Sequence, residues 1–283
     1  MMIAPSLFFP RLTSCQRGFT LVEMIVVIVI TGILGGMVAM FIRAPMQGYV
    51  DSARRADMTD IADTALRRMT RDLRLALPNS VRVTVAGGNT YLEFLPTSGG
   101  GRYRVGTPGN VLDFTVAYTS FDVLGPMPAF TAGDSVVVYN LGIPGASAYD
   151  LPATNNRTAW VSNTATTVTI AAKKFPFESP GNRFQVITTP VTYVCAPVSG
   201  GAGGTLTRYW GYTIQATQPI NAAAAPLSTA PHALLATNVG ACSITYDANV
   251  VAQRSGLVTM QLTITESGES VTLYNAAHIS NVP

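Results

Sequence analysis

The 283-residue chain carries 18 Lys and Arg against 15 Asp and Glu, a formal charge of +3, with 48% hydrophobic and only 12% charged residues. Such a composition excludes a disordered chain and allows one large domain or two small ones. It also argues against nucleic acid as a partner: apart from Lys173 and Lys174, expected to be solvated at a strand end, no basic run is interleaved with aromatics.

After a short leader comes "RGFTLVEMIVVIVITGILGG", Arg17 to Gly36, and apolar sequence continues almost unbroken to Ile42. A helix from Phe19 to Ile42 reaches ~36 Å at ~1.5 Å per residue, enough to cross a hydrocarbon core of ~30 Å. Secretory signals have a shorter apolar core followed by a small-residue cleavage site. Glu23 interrupts the run, and a carboxylate there calls for a cation or for a place at the headgroup level. No Lys, Arg or His lies between Phe19 and Ile42, and Arg17 is six residues from Glu23, off the helical spacing of three or four.

The leader, the segment RGFTLVE and the apolar helix together resemble the type IV prepilin family. That resemblance implies cleavage by a prepilin peptidase after Gly18, N-methylation of Phe19, and pairing of Glu23 with the amino terminus of a neighbouring subunit. The expected partners are other major and minor pilins, the inner-membrane assembly platform and membrane lipid. Expected localisation is single-pass in the inner membrane with a periplasmic carboxyl-terminal domain, followed by entry into a filament or its tip. Gly32 and Gly36 form a small-xxx-small pair that suits close helix approach, or equally loosens the helix together with Gly35. Loss of the leader removes Arg11, Arg17 and Cys15, lowering the formal charge from +3 to +1 and leaving Cys195 and Cys242 of the three cysteines.

From Ala44 to Leu77, Ile61, Ala65, Met69, Leu73 and Leu77 recur every four residues beside Ala62 and Leu66, which predicts an amphipathic helix ended by Pro78. Asp57, Asp60 and Asp63 come early and Arg67, Arg68, Arg71 and Arg74 late, as a helix dipole favours. The arginines read as a solvated face with pairs such as Asp63 and Arg67. Pro45 and Gly48 are expected to bend or loosen the junction.

Beyond residue 80 short alternating segments predict strands, among them VRVTV, YLEFL, VLDFTVAY, DSVVVYN, RFQVITTPVTYVC, TLTRYWGYTI and LVTMQLTITES. AGGN, TSGGGR, GIPGAS and PVSGGAGG read as turns. The expected fold class is α+β and pilin-like: a long amino-terminal helix, membrane-spanning and then amphipathic, packed on a large antiparallel β-rich domain. Its expected parts are 1–18 (leader), 19–42 (membrane and assembly helix), 43–77 (amphipathic helix) and 78–283 (β-rich domain). Cys195 and Cys242, at strand ends of a domain the resemblance places in an oxidising compartment, are expected to form a disulfide.

Catalytic constellations are missing. His232 and His278 are the only histidines, expected in a loop and in the last strand, and there is no HExxH, Walker loop or CxxC. Gly200 to Gly204 lies between strands and reads as a flexible loop, while Asn156-Arg157-Thr158 is a low-specificity glycosylation sequon. No enzyme activity, cofactor or metal is expected. "RDLRLALPNSVRV" and the ending "LYNAAHISNVP" are similar to minor pilins of mannose-sensitive haemagglutinin (MSHA) pili, and the helical half also resembles type II secretion pseudopilins of the J type. A tip adhesin or binding module is the reading from another class.

Overall fold

The structure, a computed structural model, describes residues 18–248 and 255–283. Arg11, Cys15, Arg17 and the rest of the leader before Gly18 lie outside the described residues. The chain divides into two compact units, Met1–Ala53 and Arg54–Pro283.

One helix, α1 (Leu21–Leu73), begins in the first unit and ends in the second, with Pro45 inside it. In the first unit residues 18–43 are all exposed, and the helix is long and apolar enough to cross a membrane. Its polar Thr31 returns its hydroxyl to the carbonyls of Val27 (2.6 Å) and Ile28 (3.2 Å), so it adds no unsatisfied donor to the apolar surface.

In the second unit α1 buries Met58, Ala62, Ala65, Leu66, Met69 and Leu73. This is the expected amphipathic stripe, corrected at one end. Ile61 is exposed, because the buried face is centred on the row from Met58 through Ala62 and Ala65. The helix also stops at Leu73 and not at Leu77. There the backbone turns to pair with an extended segment: Leu77 donates to the Leu95 carbonyl and Thr97 to that of Leu75.

Strands β1 (Arg82–Ala86) and β2 (Asn89–Phe94) form a hairpin. Six strands follow: β3 (Thr97–Tyr103), β4 (Tyr118–Leu124), β5 (Ser135–Val138), β6 (Arg157–Asn163), β7 (Thr167–Lys173) and β8 (Arg183–Ile187). They close into a barrel of order β3-β4-β7-β6-β5-β8. The chain then returns to β2 as β9 (Val191–Ala196), with Phe94 opposite Val191, and continues through β10 (Thr205–Trp210) and β11 (His232–Thr237). These complete a sheet of order β1-β2-β9-β10-β11, so the barrel is an insertion between two adjacent strands. A second sheet holds β12 (Val239–Asp247), β13 (Ser255–Glu266) and β14 (Glu269–Ser280). The strand pairings among the described residues are all antiparallel, both within hairpins and where distant segments such as β2 and β9 meet.

The principal core joins the α1 stripe to Leu92, Phe94, Tyr193 and Leu206 of the five-stranded sheet and to Ile244, Met260, Leu262 and Ile279 of the three-stranded one. The barrel has its own core, including Tyr103, Phe121, Phe175 and Phe184. A third cluster, Leu77, Leu95, Val137, Tyr149 and Ile187, packs the barrel onto the segment that follows the helix.

Several local expectations change. RFQVITTPVTYVC is two strands in two bodies, split at Pro190, which has no N–H for a ladder. TSGGGR is not a turn but strand β3: a Cβ at Gly100 would lie 2.8 Å from the Phe184 carbonyl oxygen, and one at Gly101 2.9 Å from the Phe184 ring. Glycine is there for close approach. In VLDFTVAY only Tyr118 enters a strand. The Gly200–Gly204 segment is a packed clamp and not a flexible loop: Gly204 donates to the Gly201 carbonyl, Val239 donates to that of Gly204, and a Cβ at Gly204 would collide with the Val239 carbonyl.

Candidate functional site

The head of α1 is built by local sequence. Gly18, Phe19 and Thr20 precede the helix in non-helical backbone, fully presented to solvent, with Phe19 84% exposed. Thr20 caps the first turn: its hydroxyl oxygen accepts from the Glu23 N–H at 3.2 Å, and its carbonyl accepts from the Met24 N–H at 3.2 Å. Thr20-Leu21-Val22-Glu23 is therefore the Ser/Thr-x-x-Glu pattern of a capping box. The same spacing stands in RGFTLVE, where it coincides with the start of the apolar run. Glu23 stands in the first turn, where the helix dipole favours negative charge. Its carboxylate makes no ion pair or hydrogen bond among the described residues.

An exposed Gly-Phe peptide thus lies directly before a capped helix whose apolar stretch, 21–42, carries one carboxylate, Glu23. Residues 13–39 match the prokaryotic N-terminal methylation motif. The motif indicates a type IV pilin-like or pseudopilin-like protein, a class of structural subunits, and implies processing by prepilin peptidase and assembly with other pilins. With the apolar helix it points to membrane anchoring. Comparison with curated proteins and with solved structures found no match.

Gly32 and Gly36 lie one helical turn apart, and a Cβ at either would meet nothing within 4 Å. They leave a flat, open strip on the exposed helix. In the second unit Cys195 and Cys242 form a disulfide with α-carbons 6.7 Å apart. Cys195 is next to last in β9, whereas Cys242 lies inside β12 and not at a strand end. The bridge therefore ties the five-stranded sheet to the three-stranded one across their shared core.

Polar residues that the sequence did not single out fix the helix to the sheet. The Asp72 carboxylate accepts from Tyr193 Oη (2.8 Å) and Arg208 Nε (2.8 Å), and its other oxygen faces Arg68 Nε at 3.2 Å. Burial, reinforced by the Asp72 charge, pushes the Tyr193 hydroxyl well above its ordinary value. Arg82 holds the fully buried Glu93 at 3.0 Å, donates to the carbonyls of Gln215 and Ala216, and lies 3.7 Å over the Tyr149 ring. Burial raises the Glu93 carboxyl above the ordinary range, against the opposing pull of Arg82. Arg55 binds Glu269 of β14 at 2.8 Å, and Asp63 pairs with Arg67 at 2.6 Å as the helix spacing suggested.

The remaining candidates find structural places. Asn156 is buried and donates to the Tyr139 and Ala146 carbonyls, so its sequon is closed to glycosylation in the folded chain. Lys173 ends β7 but is not merely solvated: Nζ donates to the Pro152 carbonyl and Asn155 Oδ1, both at 2.8 Å. His232 opens β11 and packs against Tyr209, so it belongs to a strand and not to a loop, while His278 lies in β14. Among the described residues no group of His, Cys, Asp and Glu is arranged to hold a metal.

Proposed function

We propose that this chain is a low-copy subunit of a type IV filament, an MshO-like minor pilin of the MSHA type, acting in initiation or at the tip. One observation carries the reading: the Glu23 carboxylate, without a partner among the described residues, stands at the capped head of an exposed apolar helix, four residues after an accessible Gly18-Phe19 bond. Cleavage after Gly18 creates an α-ammonium on Phe19, and N-methylation keeps it cationic. A carboxylate taken into a membrane-like environment requires such a partner, and a neighbouring subunit's Phe19 supplies it. The open Gly32–Gly36 strip admits the neighbour's helix.

The rest of the chain supports the finer assignment. Segments 71–83 and 273–283, which carry the likeness to MSHA minor pilins, meet through Asn79, whose backbone N–H and side chain donate to Asn281 Oδ1 and its carbonyl. The inserted barrel adds bulk that would crowd a densely packed shaft, which suits a low-copy position. The disulfide suits a periplasmic domain behind a single inner-membrane span. The proposed parts are a leader to residue 18, an assembly segment over 19–42, an amphipathic helical segment from 43 to the helix end at Leu73, and the β-rich remainder. Pull-down of the membrane-extracted protein should recover other minor pilins. Recovery of secretion components in their place would assign it as a J-type pseudopilin, and recovery of neither would remove the assembly role.

A further inference from the structure

The barrel carries a groove unrelated to the head of the helix. On its outer surface Ser98, Gly100 and Arg102 of β3 are exposed in alternation. Register places Arg102 opposite Arg183 of β8 on one side and Leu124 of β4 on the other, with Gly100 opposite Gln185 in the next row. Gly100 contributes no side chain, so a depression of about 370 Å³ opens between the arginines, Gln185 and the apolar residues Leu124 and Pro126. That volume falls within the range of small-ligand sites.

Three features of the lining go unanswered within the chain. Arg102 and Arg183 are like charges directly across an antiparallel pair, an arrangement that destabilises a sheet. Neither forms an ion pair among the described residues, and no acidic residue lines the groove. By contrast, the nearby Arg104 faces Asp122 at 3.5 Å. Gln185 Oε1 is buried and accepts no hydrogen bond.

From this we infer that the groove across β8, β3 and β4 binds a carboxylated sugar. Two guanidinium groups side by side match a carboxylate, which takes paired N–H donors from arginine better than from any other side chain. Gln185 Oε1 has no partner and is closed to solvent, so it accepts from a sugar hydroxyl once its side chain turns toward the groove. Leu124 and Pro126 offer an apolar wall for the C–H face of a sugar ring. A simple inorganic anion would satisfy only the first of these, and a neutral sugar only the other two. The inference concerns the barrel alone and stands apart from the assembly role of the helix.

The test is isothermal titration of the full-length, detergent-solubilised chain with tetragalacturonate and sialyllactose, against methyl-esterified tetragalacturonate, lactose and inorganic phosphate. Saturable binding of at least one carboxylated sugar is expected, with its neutral counterpart about tenfold weaker or more. Arg102→Ala and Arg183→Ala should each weaken that binding several-fold, while Arg71→Ala on the helix should not. Because the paired arginines repel, neither groove substitution should lower Tm. Absence of saturable binding by either acid, equal binding of the neutral sugars, or displacement by phosphate at the same concentration would overturn the proposal. So would a marked drop in Tm on replacing Arg102, which would show that the arginine is there for the fold.

Discussion

Removing the Cys195–Cys242 bridge tests how the second unit is held together. The cysteines are 47 residues apart in sequence, and the loop they close contains β10, β11 and the start of β12. In the chain-entropy model a loop of that length restricts the unfolded chain by about 4 kcal/mol. Residual structure in the unfolded chain makes this an upper figure. Replacing both residues with alanine also removes two sulfur atoms from a core where Cys195 is fully buried, adding about 1 kcal/mol. For a unit of this size each kcal/mol shifts Tm by about 2 to 4 °C, so the double variant should melt about 10 to 20 °C below the oxidised wild type. Differential scanning calorimetry of C195A/C242A, with reduced wild type as the control that keeps both sulfurs, reads the two contributions separately. Reduced wild type should account for most of the loss. If reduced and oxidised protein melt within 2 °C of each other, the bridge is not what ties the two sheets, and the argument from loop length fails.

Three further outcomes follow from particular contacts. Thr20→Ala removes only the helix cap, at a cost of about 1 kcal/mol, and Glu23→Gln removes only the carboxylate charge; if charge pairing between subunits drives assembly, Glu23→Gln abolishes co-purification with other pilins while Thr20→Ala leaves it nearly intact, and equal effects would reduce Glu23 to a capping residue. Because the Glu93 carboxyl is raised by burial, its contribution to stability is fully present below the unfolded value of about 4.3 and is lost as pH rises through the folded value. The Tm of Glu93→Gln minus that of wild type should therefore climb as pH rises above the unfolded value, whereas a flat difference would mean that burial does not govern Glu93. Finally, replacing residues 97–187 with a short turn should leave the principal core and the disulfide formed, since that core takes nothing from the barrel; loss of the disulfide on peptide mapping would show that the insertion is needed for folding.

The helix and the β-rich class followed from patterns that act locally: an apolar run of spanning length, a four-residue recurrence ended near a proline, and period-two alternation. The barrel did not, because glycine carries the same local signal whether it permits a turn or lets one backbone pass against another. Gly100 and Gly101 are in a strand for the second reason, and only the position of Phe184 reveals it. RFQVITTPVTYVC was equally ambiguous, since both halves alternate and the change of sheet is set by distant partners. At the head of the helix Gly18, Phe19 and Glu23 were readable from RGFTLVE, and the Thr20 cap was present in the same letters. Asp72 and Glu93 were hidden because a carboxylate in a polar stretch looks solvated until Tyr193, Arg208 or Arg82 closes over it.

Under the proposed function the chain is cut between Gly18 and Phe19 and enters a filament by its new amino terminus. Intact-mass and terminal-peptide mass spectrometry of the protein extracted from membranes tests it most directly. The mature chain should begin at N-methyl-Phe19. A chain that retains Met1, or one that begins beyond Ala39, would contradict it.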